Sequence, residues 1–199
     1  MKVIGISSSY RKNSNSEWYL NYTLEKLAEE GFETELLSLR GKTVLPCRGC
    51  YGCVEAGGCT IQGDDFHEFA DKMWEADGIL LGSPVYYGSV APQLMCLLDR
   101  VGFSGRWANK FLSGKVGAPI TVARRAGHNS AFEQLLLWFF INDMIVPGST
   151  YWNVCVAGSR GARDAENDTE GLEILSHFAH NMAVTLKALD KYEEKLSKN

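Results

Sequence analysis

The chain has 199 residues, 45% hydrophobic and 22% charged, the make-up of a folded globular domain with a full core and not of a disordered or fibrous chain. A net charge of −4 supplies no electrostatic basis for binding nucleic acid or an anionic membrane. No apolar run has signal-peptide or membrane-spanning form, so the expectation is a cytoplasmic protein with reduced thiols.

In chain order, "KVIGI" is a short β-branched run ending at Ser7-Ser8-Ser9, a buried strand followed by a polar loop. A helix is expected from Asn15 or Ser16 to about Glu30, with Leu20, Leu24 and Leu27 on one face and Gly31 as its stop. "TELLSL" reads as a second strand, and a cysteine-rich segment follows it. "DDFHEFADKMWEAD" places Phe66, Phe69, Ala70, Met73 and Trp74 at helical spacing behind an acidic start. "GILLGS" is a third buried strand and "APQLMCLLDRVG" a helix with Pro92 in its first turn. "VGAPITVA" is a fourth strand, "NSAFEQLLLWFFINDM" a helix apolar nearly all round, and "TYWNVCVAG" a fifth strand. A closing helix is expected from about Asp164 to the end of the chain.

Strands alternating with helices over short loops imply a parallel sheet covered on both faces by right-handed crossovers. Five of each suggest a doubly wound, three-layer α/β/α domain spanning residues 1–199 with strand order 2-1-3-4-5. Such a sheet binds its ligand at the carboxyl ends of its strands.

Three loops leave those ends. "SSSYRKNSNS", residues 7–16, offers hydroxyls, amides and a helix N-terminus to an anion, and it lacks both GxGxxG and GK[ST]; a monophosphate suits it, or it only caps the helix. "GSPVYYGSVAP" carries Tyr86 and Tyr87, placed to lie against a flat ligand or to pack in the core. "ARRAGHNS" carries Arg124, Arg125 and His128.

"GISSSYRKNSNS", "LLGSPVYYGSVAPQLMCLLDR" and "ITVARRAGHNSAFEQL" together resemble the flavodoxin-like NAD(P)H-dependent FMN reductase family, from Met1 to about Trp152. The resemblance implies a flavodoxin-like fold with the FMN phosphate on Ser7, Ser9, Asn13, Asn15 and Ser16. It implies an isoalloxazine ring flanked by Pro84, Val85, Tyr86, Tyr87, Gly88, Arg124 and Gly127. This chain has Ala126-Gly127 where the family often carries a glycine pair.

Cys47, Cys50, Cys53 and Cys59 are spaced C-x2-C-x2-C-x5-C within residues 46–60. Three close thiolates and a near fourth suit a [4Fe–4S] cluster, while zinc more often takes two separated pairs; zinc and free or disulfide-switching thiols stay open. Within the family, this run resembles the iron–sulfur flavoproteins. That resemblance implies Cys47, Cys50, Cys53 and Cys59 as cluster ligands beside FMN, in homodimers or homotetramers. A cluster implies a one-electron donor such as ferredoxin, whereas NAD(P)H would serve a clusterless FMN or quinone-type reductase. A redox- or metal-sensing flavin-binding protein is the alternative that is not an enzyme. No residue reads as a committed general acid or base; Tyr86, Tyr87, Arg124 and His128 would tune the flavin. Cys96 and Cys155 read as core, and His177 and His180 as plain helix residues.

Overall fold

A computed structural model describes residues 1–109 and 112–196, apart from the side chains of residues 193 and 194. Five parallel strands, β1 (Lys2–Ser7), β2 (Glu33–Ser38), β3 (Gly78–Pro84), β4 (Val116–Ala123) and β5 (Val154–Val156), form one sheet in the order β2-β1-β3-β4-β5. Helices α1 (Asn15–Glu29), α2 (Gly52–Ala56), α3 (Phe66–Glu75), α4 (Pro92–Trp107), α5 (His128–Ile141) and α6 (Thr169–Leu196) connect and follow them. This is the flavodoxin-like doubly wound arrangement expected from the alternation of elements.

Side chains alternate across the strands, so each strand feeds two cores. Val3 and Leu80 join Tyr19, Leu20, Leu24, Phe178 and Met182 beneath α1 and α6. Ile4, Ile6, Ile79 and Leu81 join Phe66, Phe69, Leu97 and Phe139 beneath α3, α4 and α5. Gly82 lies directly under Leu20, and a methyl there would collide with that side chain, so glycine lets α1 press onto the sheet beside the strand ends.

Three boundaries differ from the sequence expectation. The fifth strand shrinks to three residues because Tyr151 and Trp152, read as strand, stand exposed beyond its pairing with β4. The last helix begins at Thr169, where Asp168 accepts from the Gly171 amide at 3.2 Å; two 3-10 turns occupy residues 159–161 and 165–167. Residues 197–199, expected to continue that helix, lie outside the described residues. The fourth helix runs five residues past Gly102, which lies inside it and makes room for the Asn142 and Trp138 side chains, 2.9 and 3.3 Å from where a methyl would be. No helix among the described residues is long and apolar enough to cross a membrane.

Candidate flavin cleft and cysteine recess

The loops after β1, β3, β4 and β5 enclose a cleft of about 470 Å³, within the size range of small-molecule sites. Its floor is the N-terminus of α1. Ser14 caps that helix by accepting from the Glu17 amide at 3.1 Å, which leaves the Asn15 and Ser16 amides without intrahelical acceptors. Ser9 folds its loop inward by accepting from the Arg11 amide at 3.3 Å. Arg11, Arg124 and Arg125 line the walls, and among the described residues no acidic side chain does. Unpaired amides, hydroxyls and cations facing one space make an anion site.

The second wall is a tight turn. Tyr86 and Ser89 exchange backbone hydrogen bonds at 2.8 and 3.0 Å around Tyr87 and Gly88, whose φ values of +50° and +77° describe a primed hairpin turn. Gln134 of α5 holds this turn by accepting from the Ser89 hydroxyl at 2.9 Å and the Val90 amide at 3.2 Å. Tyr86 lines the cleft and stacks on Tyr10, ring centroids 6.5 Å apart and planes 10° from parallel. Tyr87 points into solvent at the tip of the turn.

The third wall, residues 124–127, packs onto the second through Gly127 at φ +90°. His128 is buried and its Nε2 faces the carbonyls of Ala123 and Cys155 at 3.2 and 3.0 Å, which clips β4 to β5 instead of reaching a ligand. Of the residues expected at the flavin, Ser9, Asn15, Ser16, Pro84, Val85, Tyr86 and Arg124 line the cleft, and Ser7, Asn13, Tyr87, Gly88 and Gly127 do not. Ser7 is buried in β1, and its hydroxyl accepts from the Ser9 amide at 3.4 Å.

Asn15 has a second commitment. Its side chain donates to Ala162 O at 2.9 Å and accepts from the Asp164 and Ala165 amides at 3.0 and 3.1 Å. The loop after β5 is thereby tied to α1, and Ala157 and Gly158 join the rim of the cleft. The sequence signal for this was slight, a polar stretch with no recognisable motif.

The cysteines build a different place. Cys47, Cys50, Cys53 and Cys59 carry free thiols and line one recess of about 20 Å³ with Thr60, Arg100, Phe103 and Ser104, sharing no residue with the cleft. Cys47 and Cys50 stand at its exposed rim and Cys53 is buried at the start of α2. Hydrogen bonding from the Gly52 amide, aided by the Thr60 hydroxyl, draws the Cys50 thiol below its ordinary pKa, while burial pushes Cys53 up. A methyl on Gly52 would sit 2.7 Å from Thr60 Oγ1, so the Thr60 side chain would have to turn aside to admit one.

Beneath the recess lies an ion pair that sequence inspection missed. Arg100 and Asp64 have side chains 1% and 0% exposed and are in direct contact. Among the described residues, no three His, Cys, Asp or Glu side chains stand in a metal-holding arrangement. The match to an iron–sulfur group is therefore one of donor chemistry: four free thiols sharing one recess. For the flavin it is one of shape and charge, a cleft of ligand size with an unpaired helix terminus and cationic walls.

A family model described as NADPH-dependent FMN reductase matches residues 1–158. An iron–sulfur flavoprotein of Methanocaldococcus jannaschii is 39% identical over 96% of this chain and 100% of its own. Another, from Methanosarcina thermophila, is 34% identical over 98% of this chain and 100% of its own. Among solved structures, RosB with a bound riboflavin-5′-phosphate derivative superposes with a TM-score of 0.76 at 15% identity, over 96% of this chain and 81% of that one.

Proposed function

The chain belongs to the NADPH-dependent FMN reductase family as an iron–sulfur flavoprotein-like member, and on that premise we propose that it is an electron-transfer oxidoreductase carrying two redox groups in one domain over residues 1–199. Its FMN-dependent oxidoreductase character follows from the family. FMN, when bound, accepts a hydride or single electrons, whereas a [4Fe–4S] cluster passes one electron at a time. Cys47, Cys50, Cys53 and Cys59, in the loop at residues 46–60, would hold the cluster.

Ser9, Ser16 and the Asn15 amide at the α1 terminus would hold the FMN phosphate, with Ser7 and Asn13 shaping the loop. Pro84, Val85 and Tyr86 present the flat wall for the ring, the Tyr87-Gly88 turn fixes that wall's height, and Gly127 closes the third wall onto it. Arg124 lines the cleft, and its charge would favour an anionic form of a flavin held there. A one-electron donor such as reduced ferredoxin suits this pairing, with NAD(P)H serving the flavin directly if no cluster is present. Homodimers or homotetramers are proposed as well; the exposed Leu137, Phe140 and Ile141 on α5 and Phe103 and Trp107 on α4 support association.

The single observation that carries this reading is the presence of two separate sites, a phosphate-suited cleft at the strand ends and a recess lined by four unbridged thiols. Purification without oxygen, followed by flavin, iron, sulfide and zinc analysis, tests it. A flavin spectrum with about four irons per chain is expected. Flavin with zinc or without metal would leave a clusterless reductase, and failure to consume NAD(P)H or ferredoxin electrons with any acceptor would leave a sensor.

A further inference from the structure

We infer that Arg100 is a positioning residue of the cysteine recess that sets the reduction potential of the bound cluster through an N–H donor on the Cys59 sulfur. This rests on the cluster reading above and goes beyond it by assigning a residue that is not one of the four ligands.

A guanidinium carries five N–H donors in a fixed fork, and a buried one must place all five. Arg100 does so. Its Nη1 donates to Leu45 O at 3.1 Å and contacts Asp64 Oδ2; its Nη2 donates to Ile61 O at 3.2 Å and Asp64 Oδ1 at 3.4 Å. The fifth donor, Nε–H, points at Cys59 Sγ, 3.3 Å away. The plane of the fork is fixed from below by the Phe66 ring, 3.9 Å from the guanidinium carbon. Four acceptors are oxygens, and only the one at the recess is sulfur.

A neutral thiol accepts weakly, so a buried donor aimed at one would be close to unpaired. A metal-bound thiolate is anionic and accepts strongly, and this makes the fifth bond a sound use of the donor. Asp64 balances the guanidinium charge, so what reaches the sulfur is an oriented dipole and not a free cation. One-electron reduction places more negative charge on a cluster and its sulfur ligands. The bond is then stronger in the reduced state than in the oxidised one, and its presence raises the potential. Leu45 and Ile61 bracket the cysteine loop, so the same side chain fixes both ends of that loop and the sulfur within it.

The test compares wild type, Arg100→Lys and the neutral pair Arg100→Met/Asp64→Asn, all purified without oxygen and titrated spectroelectrochemically. The double variant removes the Nε donor without leaving an unpaired buried charge, so it remains informative if Arg100→Lys does not fold. The expected result is wild-type iron content and an unchanged flavin midpoint. The ratio of reduced to oxidised cluster should fall about tenfold at fixed applied potential, a 59 mV downward shift for a one-electron couple. A cluster midpoint equal to wild type overturns the assignment while leaving the cluster reading intact. Loss of iron with folding and FMN retained also overturns it, by making Arg100 a clamp only. Wild-type protein without iron overturns both this and the reading it rests on.

Discussion

Replacing Gly127 by alanine should loosen the flavin cleft and the fold together. Gly127 lies at φ +90°, a conformation that costs an L-residue on the order of 1–2 kcal/mol. The added methyl would also stand 2.8 Å from Val85 Cγ1 and 3.2 Å from Gly88 Cα. Neither neighbour can move freely: the branched Val85 side chain is restricted at χ1, and Gly88 belongs to a turn pinned by reciprocal backbone bonds and by Gln134. Overpacking of this kind costs about 1–3 kcal/mol, so the unfolding free energy should drop by about 2–5 kcal/mol. The strain is relieved most directly by residues 124–127 moving off the second wall, which widens the cleft. FMN binding should then weaken about tenfold or more, since 1.4 kcal/mol is a factor of ten. Urea unfolding of the apoprotein followed by circular dichroism, and a flavin-fluorescence titration, measure the two effects. Stability within 0.5 kcal/mol of wild type, together with unchanged FMN affinity, would refute the reasoning.

Asp64→Ala should cost about 3–5 kcal/mol in guanidinium unfolding, because it strands the Arg100 charge in the core; a loss below 1 kcal/mol would mean the pair is solvated. Burial is the largest single influence and would raise the Asp64 carboxyl, but the Arg100 hydrogen bond and charge together with the Leu45 and Phe66 amides outweigh it and hold the group below the usual range. Its stabilising contribution is therefore complete above the unfolded value of about 3.9 and is lost as pH falls through the lower folded value, so stability measured from pH 5 to pH 2 should fall less steeply in Asp64→Ala than in wild type. Asn15→Ala removes three bonds to residues 162–165 and should cost about 1–2 kcal/mol, with hydrogen exchange accelerated across that loop and little changed in β3. His128→Ala should lower stability by about 1–3 kcal/mol, read by thermal unfolding, and leave the flavin spectrum as it was, because its ring faces two carbonyls and not the cleft.

Much of the fold is legible in the sequence. Short β-branched runs alternating with amphipathic helices admit few topologies, and the parallel sheet in order 2-1-3-4-5 is the one found. Boundaries were read less well, for reasons particular to each. Gly102 looked like a helix stop, yet it is a contact point for the next helix. Tyr151 and Trp152 have strand propensity but no partner beyond them in the sheet. A five-residue helix between Tyr51 and Gly57, both at positive φ, has no period to detect. The three loops that line the cleft are legible from composition and position, since each is polar and follows a strand. Arg100 and Asp64 are not, because a cation in an amphipathic helix and an acid just before the preceding one look like solvated charges. Only the packing of α4 under the cysteine loop buries them. The tie made by the Asn15 side chain is not legible either, because its partners lie about 150 positions away.

That long-range tie sets an order on assembly during synthesis. The residues that line the cysteine recess all fall between Cys47 and Ser104, whereas the cleft lacks part of its rim until Ala165 and its neighbours arrive to bind Asn15. Because chains emerge N-terminus first, the cysteine loop and α4 can meet while the last third of the chain is still being made, and the rim of the cleft is completed only afterwards. A truncated product ending before residue 158 would keep its cysteine loop and α4 but would have an open-sided cofactor seat.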